Sequence, residues 1–197
     1  MFEQVTAVLL GLGLAAATGL RTFLPLLMAA AAARFGLFGV ELSGPLAWLS
    51  SDVALIALGV AATAEFAGDK LPVVDHALDL VGTVARPLAG ALAAAAVFAP
   101  GLSADPVTLA IAGLIVGAPA AFAVHGAKAG TRVAANAGTA GLAAPAVSLA
   151  EDGLTIGAVL LAFVAPLLVP VLLVVALWFG WRVFRRRRGS QAAGPAL

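Results

Sequence analysis

Cysteine and tyrosine are both absent from the 197 residues, and Asp, Glu, Lys and Arg together make up only 11% of them. Without cysteine there is no disulfide and no thiolate metal site, and the redox compartment leaves no mark. Scarce charge is the more telling lack. A soluble domain carries about 25% charged and about 45–50% apolar residues. Here hydrophobic residues reach 62% and the mean hydropathy is +1.09. A compact body of 19.4 kDa keeps too much surface in contact with its surroundings to hide that much apolar area from water. A soluble globular fold, a disordered chain and a nucleic-acid binder are thereby excluded. The chain reads as an integral membrane protein whose first partner is the lipid bilayer.

The charge that exists is unevenly placed. Residues 1–181 hold 6 cations and 10 acids, and the remaining 5 cations, Arg182 and Arg185–Arg188, stand in the last sixteen residues. A basic run directly after an apolar helix with Trp178 and Trp181 near its end marks the cytoplasmic side of a membrane. The start, Met1-Phe2-Glu3, is acidic where a signal peptide needs a basic segment, so the first helix is read as retained. Abundant Ala and Gly, with Arg far ahead of Lys, look like the codon supply of a GC-rich bacterial genome, and the expected location is a bacterial inner membrane. Residues 1–184 read as a single transmembrane domain and 185–197 as a disordered basic cytoplasmic tail.

A spanning helix needs about 20 residues to cross about 30 Å of hydrocarbon. Charge-free runs of that order are 87–104, 106–127 and 153–181. Other spans must carry charges with them. The expected fold is all-α and polytopic, with about six transmembrane helices over residues 4–33, 52–68, 84–100, 106–125, 127–150 and 154–183. Both termini would then lie inside, with 69–83 a cytoplasmic amphipathic stretch. At least one helix is expected to be broken or re-entrant. A straight helix over 4–33 would be about 45 Å long, and Gly19 and Pro25 interrupt it. The break is placed near Thr18-Gly19, with Arg21 at the broken end. Pro166 and Pro170 would kink the last run.

Ionisable residues at membrane depth are functional-site candidates by default. Glu65 stands about 20 Å along its helix, with Asp69-Lys70 one turn later. His125, Lys128, Arg132, Asn136 and Thr139 are spaced to share one helical face. His76, Asp79, Thr83 and Arg86 form a second stripe, and Ser148, Glu151, Asp152 and Thr155 a third cluster. Each stripe also fits a solvated face at head-group level. Ala16-x-x-Gly19-x-Arg21 echoes Ala127-x-x-Gly130-x-Arg132, as inverted repeats in transporters do, although a three-plus-three division would not pair these two segments.

The strings GLGLAAATGLRTFLPLL (11–27), EFAGDKLPVVDHALD (65–79), ARPLAG (85–90), HGAKAGTR (125–132) and PAVSLAED (145–152) together resemble the bacterial membrane family called domain of unknown function 4126. The resemblance implies a small multi-pass helical membrane protein and carries no activity with it. It also implies that Arg21, Glu65, Asp69, Lys70, Asp75, Asp79, Arg86, His125, Lys128, Arg132, Glu151 and Asp152 belong to the family pattern. The segment Gly19–Pro25 is similar to the broken-helix motif of undecaprenyl-diphosphate phosphatases. Thr22, however, stands where those enzymes have Glu, and their other catalytic groups are missing.

Near-membrane cations and acids are close to balanced, so they are expected to face one another or a wet cavity. The leading functional reading is a small-solute or ion transporter or channel with a central charged cavity. Its candidate ligand- or ion-binding residues are Arg21, Glu65, Asp69, Lys70, Asp79, Arg86, His125, Lys128, Arg132, Asn136, Glu151 and Asp152. The alternatives are a membrane-embedded enzyme acting on a phospholipid or polyprenyl phosphate, and a structural scaffold. No spacing defines a nucleophile or metal motif; in the enzyme reading Asp75, Asp79, Glu151 or Asp152 would act through a divalent cation or as general bases, and the cofactor stays open. The many small residues permit a homo-oligomer.

Overall fold

A computed structural model describes residues 2–42, 44–70, 72–98, 104–139, 144–176, 178 and 182. The helices are α1 (Phe2–Thr18), α2 (Leu24–Phe35), α3 (Asp52–Gly68), α4 (Pro72–Val97), α5 (Pro106–Thr139), α6 (Ala144–Val164) and α7 (Pro166–Ala176). A short 3-10 segment, Gly44–Ser50, leads into α3 at a bend of 65°. By length and composition three helices can cross a membrane, Ala77–Val97, Pro106–Val133 and Ala144–Val164, and the bent pair raises the number to four. This is a helical membrane protein.

Helix boundaries follow local chemistry. The break expected near Thr18-Gly19 is present, and α2 restarts with Pro25 in its first turn, where a missing N–H costs nothing. Helix α2 ends on Gly36, whose φ of +64° lets its N–H reach back to the carbonyls of Ala32 and Ala33. Ser51 caps α3 through its side chain, which accepts from Ala54 N at 3.2 Å. Asp105 caps α5, accepting from Val107 N at 2.9 Å and Thr108 N at 3.1 Å. Helix α6 stops at Ala165, and α7 begins at Pro166, where the kink was placed.

Three sequence expectations are corrected. Residues 106–125 and 127–150 are not separate crossings, because α5 runs unbroken from Pro106 to Thr139. Gly126 does not interrupt it; a lone glycine weakens a helix without ending it. Likewise 69–83 and 84–100 are not separate, because α4 is continuous from Pro72. Nor do Glu3 and Ala176 lie at the same end, as termini both inside would require. Glu3 and Pro166 line one cavity, whereas Ala176, at the far end of α7, lines a groove with Lys128 and Glu151. The proposed tail, 185–197, lies outside the described residues.

The packing is inverted relative to a soluble domain. Large apolar side chains such as Val53, Ile56, Leu80, Ile115, Val133 and Val164 are exposed, while alanines dominate the buried positions. Small residues let membrane helices approach closely. Helices α4 and α5 show this best. A Cβ added to Gly90 would stand 2.6 Å from Ala121 Cβ and 2.8 Å from the carbonyl oxygen of Gly117. Helix α1 packs onto this pair and onto α6, with Leu14, Val97 and Val159 in the core they share. Polar side chains are buried towards one end of the bundle. There the α1–α2 break, the end of α3, the first half of α4, the second half of α5 and the start of α6 converge.

Candidate functional site

The break between α1 and α2 leaves backbone groups without helical partners, and other helices supply them. At the start of α2, Glu65 Oε1 accepts from Thr22 N and Thr22 Oγ1, each at 2.9 Å, and Oε2 accepts from Phe23 N at 3.2 Å. A carboxylate there satisfies orphan donors and faces the positive end of the helix dipole. At the end of α1, Lys128 Nζ donates to the carbonyl of Leu20 at 2.9 Å, the complementary match of a cation to the negative end. The site is thus built around a cut helix whose ends are held by opposite charges from α3 and α5.

Arg21 lies in the gap itself. Its Nη1 pairs with Asp69 Oδ2, and its Nη2 pairs with Asp152 Oδ1 at 2.5 Å and donates to Ser148 Oγ at 3.0 Å. Arg86 Nη1 donates to Asp79 Oδ1 at 3.2 Å, and its Nη2 stands 3.7 Å from Glu65 Oε1. Arg132 grips Glu151 with two bonds, Nε to Oε1 at 2.9 Å and Nη2 to Oε2 at 2.8 Å, the fork geometry that suits a guanidinium. It also reaches Asp69 at 3.3 Å and Asp79 at 3.8 Å. Lys128 Nζ lies 3.2 Å from Glu151, 3.8 Å from Asp69 and 4.0 Å from Asp79.

His125 joins the network through Nδ1, 2.5 Å from Arg86 Nη1. An imidazole that accepts at Nδ1 carries its proton on Nε2. That atom faces Thr83 Oγ1 at 3.4 Å, whose own proton goes to the Asp79 carbonyl. Thr18 completes the floor, donating to the carbonyls of Ala15 at 2.7 Å and Arg86 at 3.5 Å.

The structure therefore brings together Arg21, Glu65, Asp69, Asp79, Arg86, His125, Lys128, Arg132, Glu151 and Asp152 out of the candidate set. Lys70 is outside the contact network. Its ammonium folds back onto its own turn, donating to Phe66 O at 3.0 Å and lying over the Phe66 ring. The side chain of Asn136, like those of Asp75 and His76, lies outside the described residues, and Thr139 is exposed. Thr22 and the backbone of Leu20 are the site members that sequence reasoning missed. A threonine beside Pro25 at a helix restart was the available signal. Where the stripes predict a central cavity, the charged side chains pair with one another. A groove of about 690 Å³ reaches the network from the apolar side, bordered at its polar edge by Lys128, Thr131 and Glu151. Four buried polar atoms in the network lack a hydrogen-bond partner: Arg21 Nε, Asp69 Oδ1, Arg86 Nε and Asp152 Oδ2. Among the described residues, no three His, Cys, Asp or Glu side chains are placed to hold a metal ion.

The strings that carry these ten residues lie within a match to the family model "Domain of unknown function (DUF4126)", which covers residues 8–186. The chain belongs to the DUF4126 family. That membership takes in the whole of the charged network, from Arg21 to Asp152. No curated protein and no solved structure matches the chain. In this DUF4126 protein the faint internal echo resolves into two different settings. Arg21 follows the end of α1, whereas Arg132 lies within the unbroken α5.

Proposed function

We propose that this protein is a cation-coupled transporter of a small solute or ion, with the charged network as its translocation site. A single observation carries the proposal. Among the described residues, five carboxylates (Glu65, Asp69, Asp79, Glu151, Asp152) meet four cations (Arg21, Arg86, Lys128, Arg132) in the ion pairs of the network, with the charge of Lys70 acting on Asp152 from outside those pairs. Uncompensated charge away from water is strongly unfavourable. The proposed seat for a proton or a sodium ion is at Asp69 and Asp152, and the partnerless oxygens of these two carboxylates, which flank Arg21, support it. Loading and release of that cation forces the cations to re-pair. Lys128 and Arg132 each lie within 4.0 Å of three carboxylates, so alternative pairings are close at hand. Broken helices with their ends at a membrane-buried site are the usual setting for such exchange.

Orientation follows from charge. Glu3, Glu41, Asp52 and Asp105 stand at or beyond the apolar end, opposed by Arg34, which pairs with Asp52 at 3.0 Å. The basic run that begins at Arg182 follows α7 in the sequence, which supports a network facing the cytoplasm of a bacterial inner membrane. Seven crossings follow if α1 to α7 are all counted across, and five if α1 and α2 dip in and return together to the side they entered from; either odd number agrees with Glu3 and Ala176 lying at opposite ends.

The test is flux into liposomes holding the purified protein, with pyranine inside to read protons and ²²Na⁺ as the second arm. Proton or sodium entry under an imposed potential is expected, reduced at least about tenfold by Asp152→Asn. Folded protein that moves neither cation refutes the reading. A scaffold role is the second reading, favoured by the way Glu65 and Lys128 cap the cut helix. It predicts that Asp152→Asn lowers stability with no flux to lose.

A further inference from the structure

At the end of the bundle opposite the charged network, a cavity of about 460 Å³ opens between the start of α1, the end of α6 and the loop after α2. Its floor is apolar, with Leu10, Phe98 and Phe163, and its mouth carries Glu3 and Glu41; no Lys, Arg or His is among its lining residues. Phe98 and Phe163 are buried, while Phe38 is half exposed at the rim. Phe38 stacks on Phe163 with ring centroids 5.4 Å apart. It does so from a left-handed backbone, φ +57°, a conformation that bulky residues rarely adopt. The loop therefore holds the half-exposed Phe38 ring at the opening from a backbone conformation that such a residue seldom takes.

Aromatic faces attract cations that shed water easily, and quaternary ammonium groups are the usual guests of such cages. Two carboxylates at the mouth, Glu3 and Glu41, add a field of the same preference. A small hydrated cation gains little from phenyl rings, and an anion is repelled at the entrance. We propose that this cavity binds a lipophilic monovalent cation, of the quaternary ammonium or phosphonium class. The cavity is separate from the charged network, and the proposal stands whether or not the protein transports anything.

The probe is radiolabelled tetraphenylphosphonium, measured by equilibrium dialysis against the full chain in detergent, with tetraphenylborate as a probe of the same shape and opposite charge. Saturable binding of one phosphonium per chain is expected, with the borate at least about tenfold weaker. Glu3→Gln with Glu41→Gln is expected to weaken phosphonium binding about five- to tenfold, and Phe38→Ala about fivefold, with unfolding curves showing that each variant is folded. Equal affinity for the two probes means simple partition into apolar surface and overturns the proposal. Unchanged binding in the folded double-glutamine variant overturns it as well.

Discussion

Replacing Glu65 by alanine tests whether the cut helix is held from outside. The substitution strips acceptors from Thr22 N, Thr22 Oγ1 and Phe23 N, and takes from Arg86 one of its two carboxylate partners. Each buried donor left unpaired costs about 1–3 kcal/mol, and a buried ion pair broken from one side costs about 3–5 kcal/mol. The terms overlap at one site, so the expected loss is about 4–6 kcal/mol, a large part of a total stability of about 5–15 kcal/mol. Glu65→Gln keeps one acceptor oxygen for Thr22 but turns an amide N–H₂ towards Phe23 N. Its expected cost is about 2–3 kcal/mol. Equilibrium unfolding by SDS in mixed micelles gives the numbers. Trp48 reports locally, because it lines the same apolar groove as Thr22 and Phe23, once Trp178 and Trp181 are replaced by Phe. A loss below about 1 kcal/mol for the alanine variant would show that the break is held by α1 and α2 alone.

Lys128→Met removes the donor to Leu20 O and leaves Glu151 with Arg132 as its remaining cation; it should destabilise by about 3–5 kcal/mol. Adding Glu151→Gln should recover part of that loss in a double-mutant cycle. Gly90→Ala should cost about 1–3 kcal/mol because the methyl group meets Ala121 and the backbone of Gly117. Gly126→Ala, with nothing within 4 Å of its Cβ, should instead be neutral or gain about 0.5–1 kcal/mol in the same unfolding assay. The Thr108 hydroxyl, and after it the backbone N–H groups of Thr108 and Val107, hold the Asp105 carboxyl below its usual range. A depressed carboxyl stabilises above its unfolded value and stops doing so as pH falls through the folded one. Hydrogen exchange in the first turn of α5 should therefore speed up, relative to the rest of α5, only at pH below the ordinary carboxylate range. Asp105→Asn should remove that dependence.

Much of the site was legible from residue spacing. Pro25 with Gly19 located the break, and the three- and four-residue steps from His125 to Arg132 placed those side chains on one buried face. Depth alone marked Glu65. What spacing could not supply is the pairing. Glu65 reads as a free carboxylate in a helix of one sequence segment, yet its partners are amides more than forty residues earlier. The helix count went astray for the same reason. Lys128 and Arg132 look like the end of an apolar span, but Glu151, Asp69 and Asp79 neutralise them, so α5 continues through them. Charge-free run length measures a span only where no partner waits inside the bundle.

The cut between the first two helices carries a consequence for biosynthesis. The amine that closes the end of α1 lies 108 residues downstream of the carbonyl it meets. At a synthesis rate of about 5–20 residues per second, the ribosome delivers it roughly 5–20 s after Leu20 has emerged. During that interval the amino-terminal hairpin sits in the bilayer with raw backbone at its apex, and Arg21 has yet to meet the aspartate of α6. Early helices must wait, shielded by the insertion machinery or by lipid head groups, for late ones to finish them.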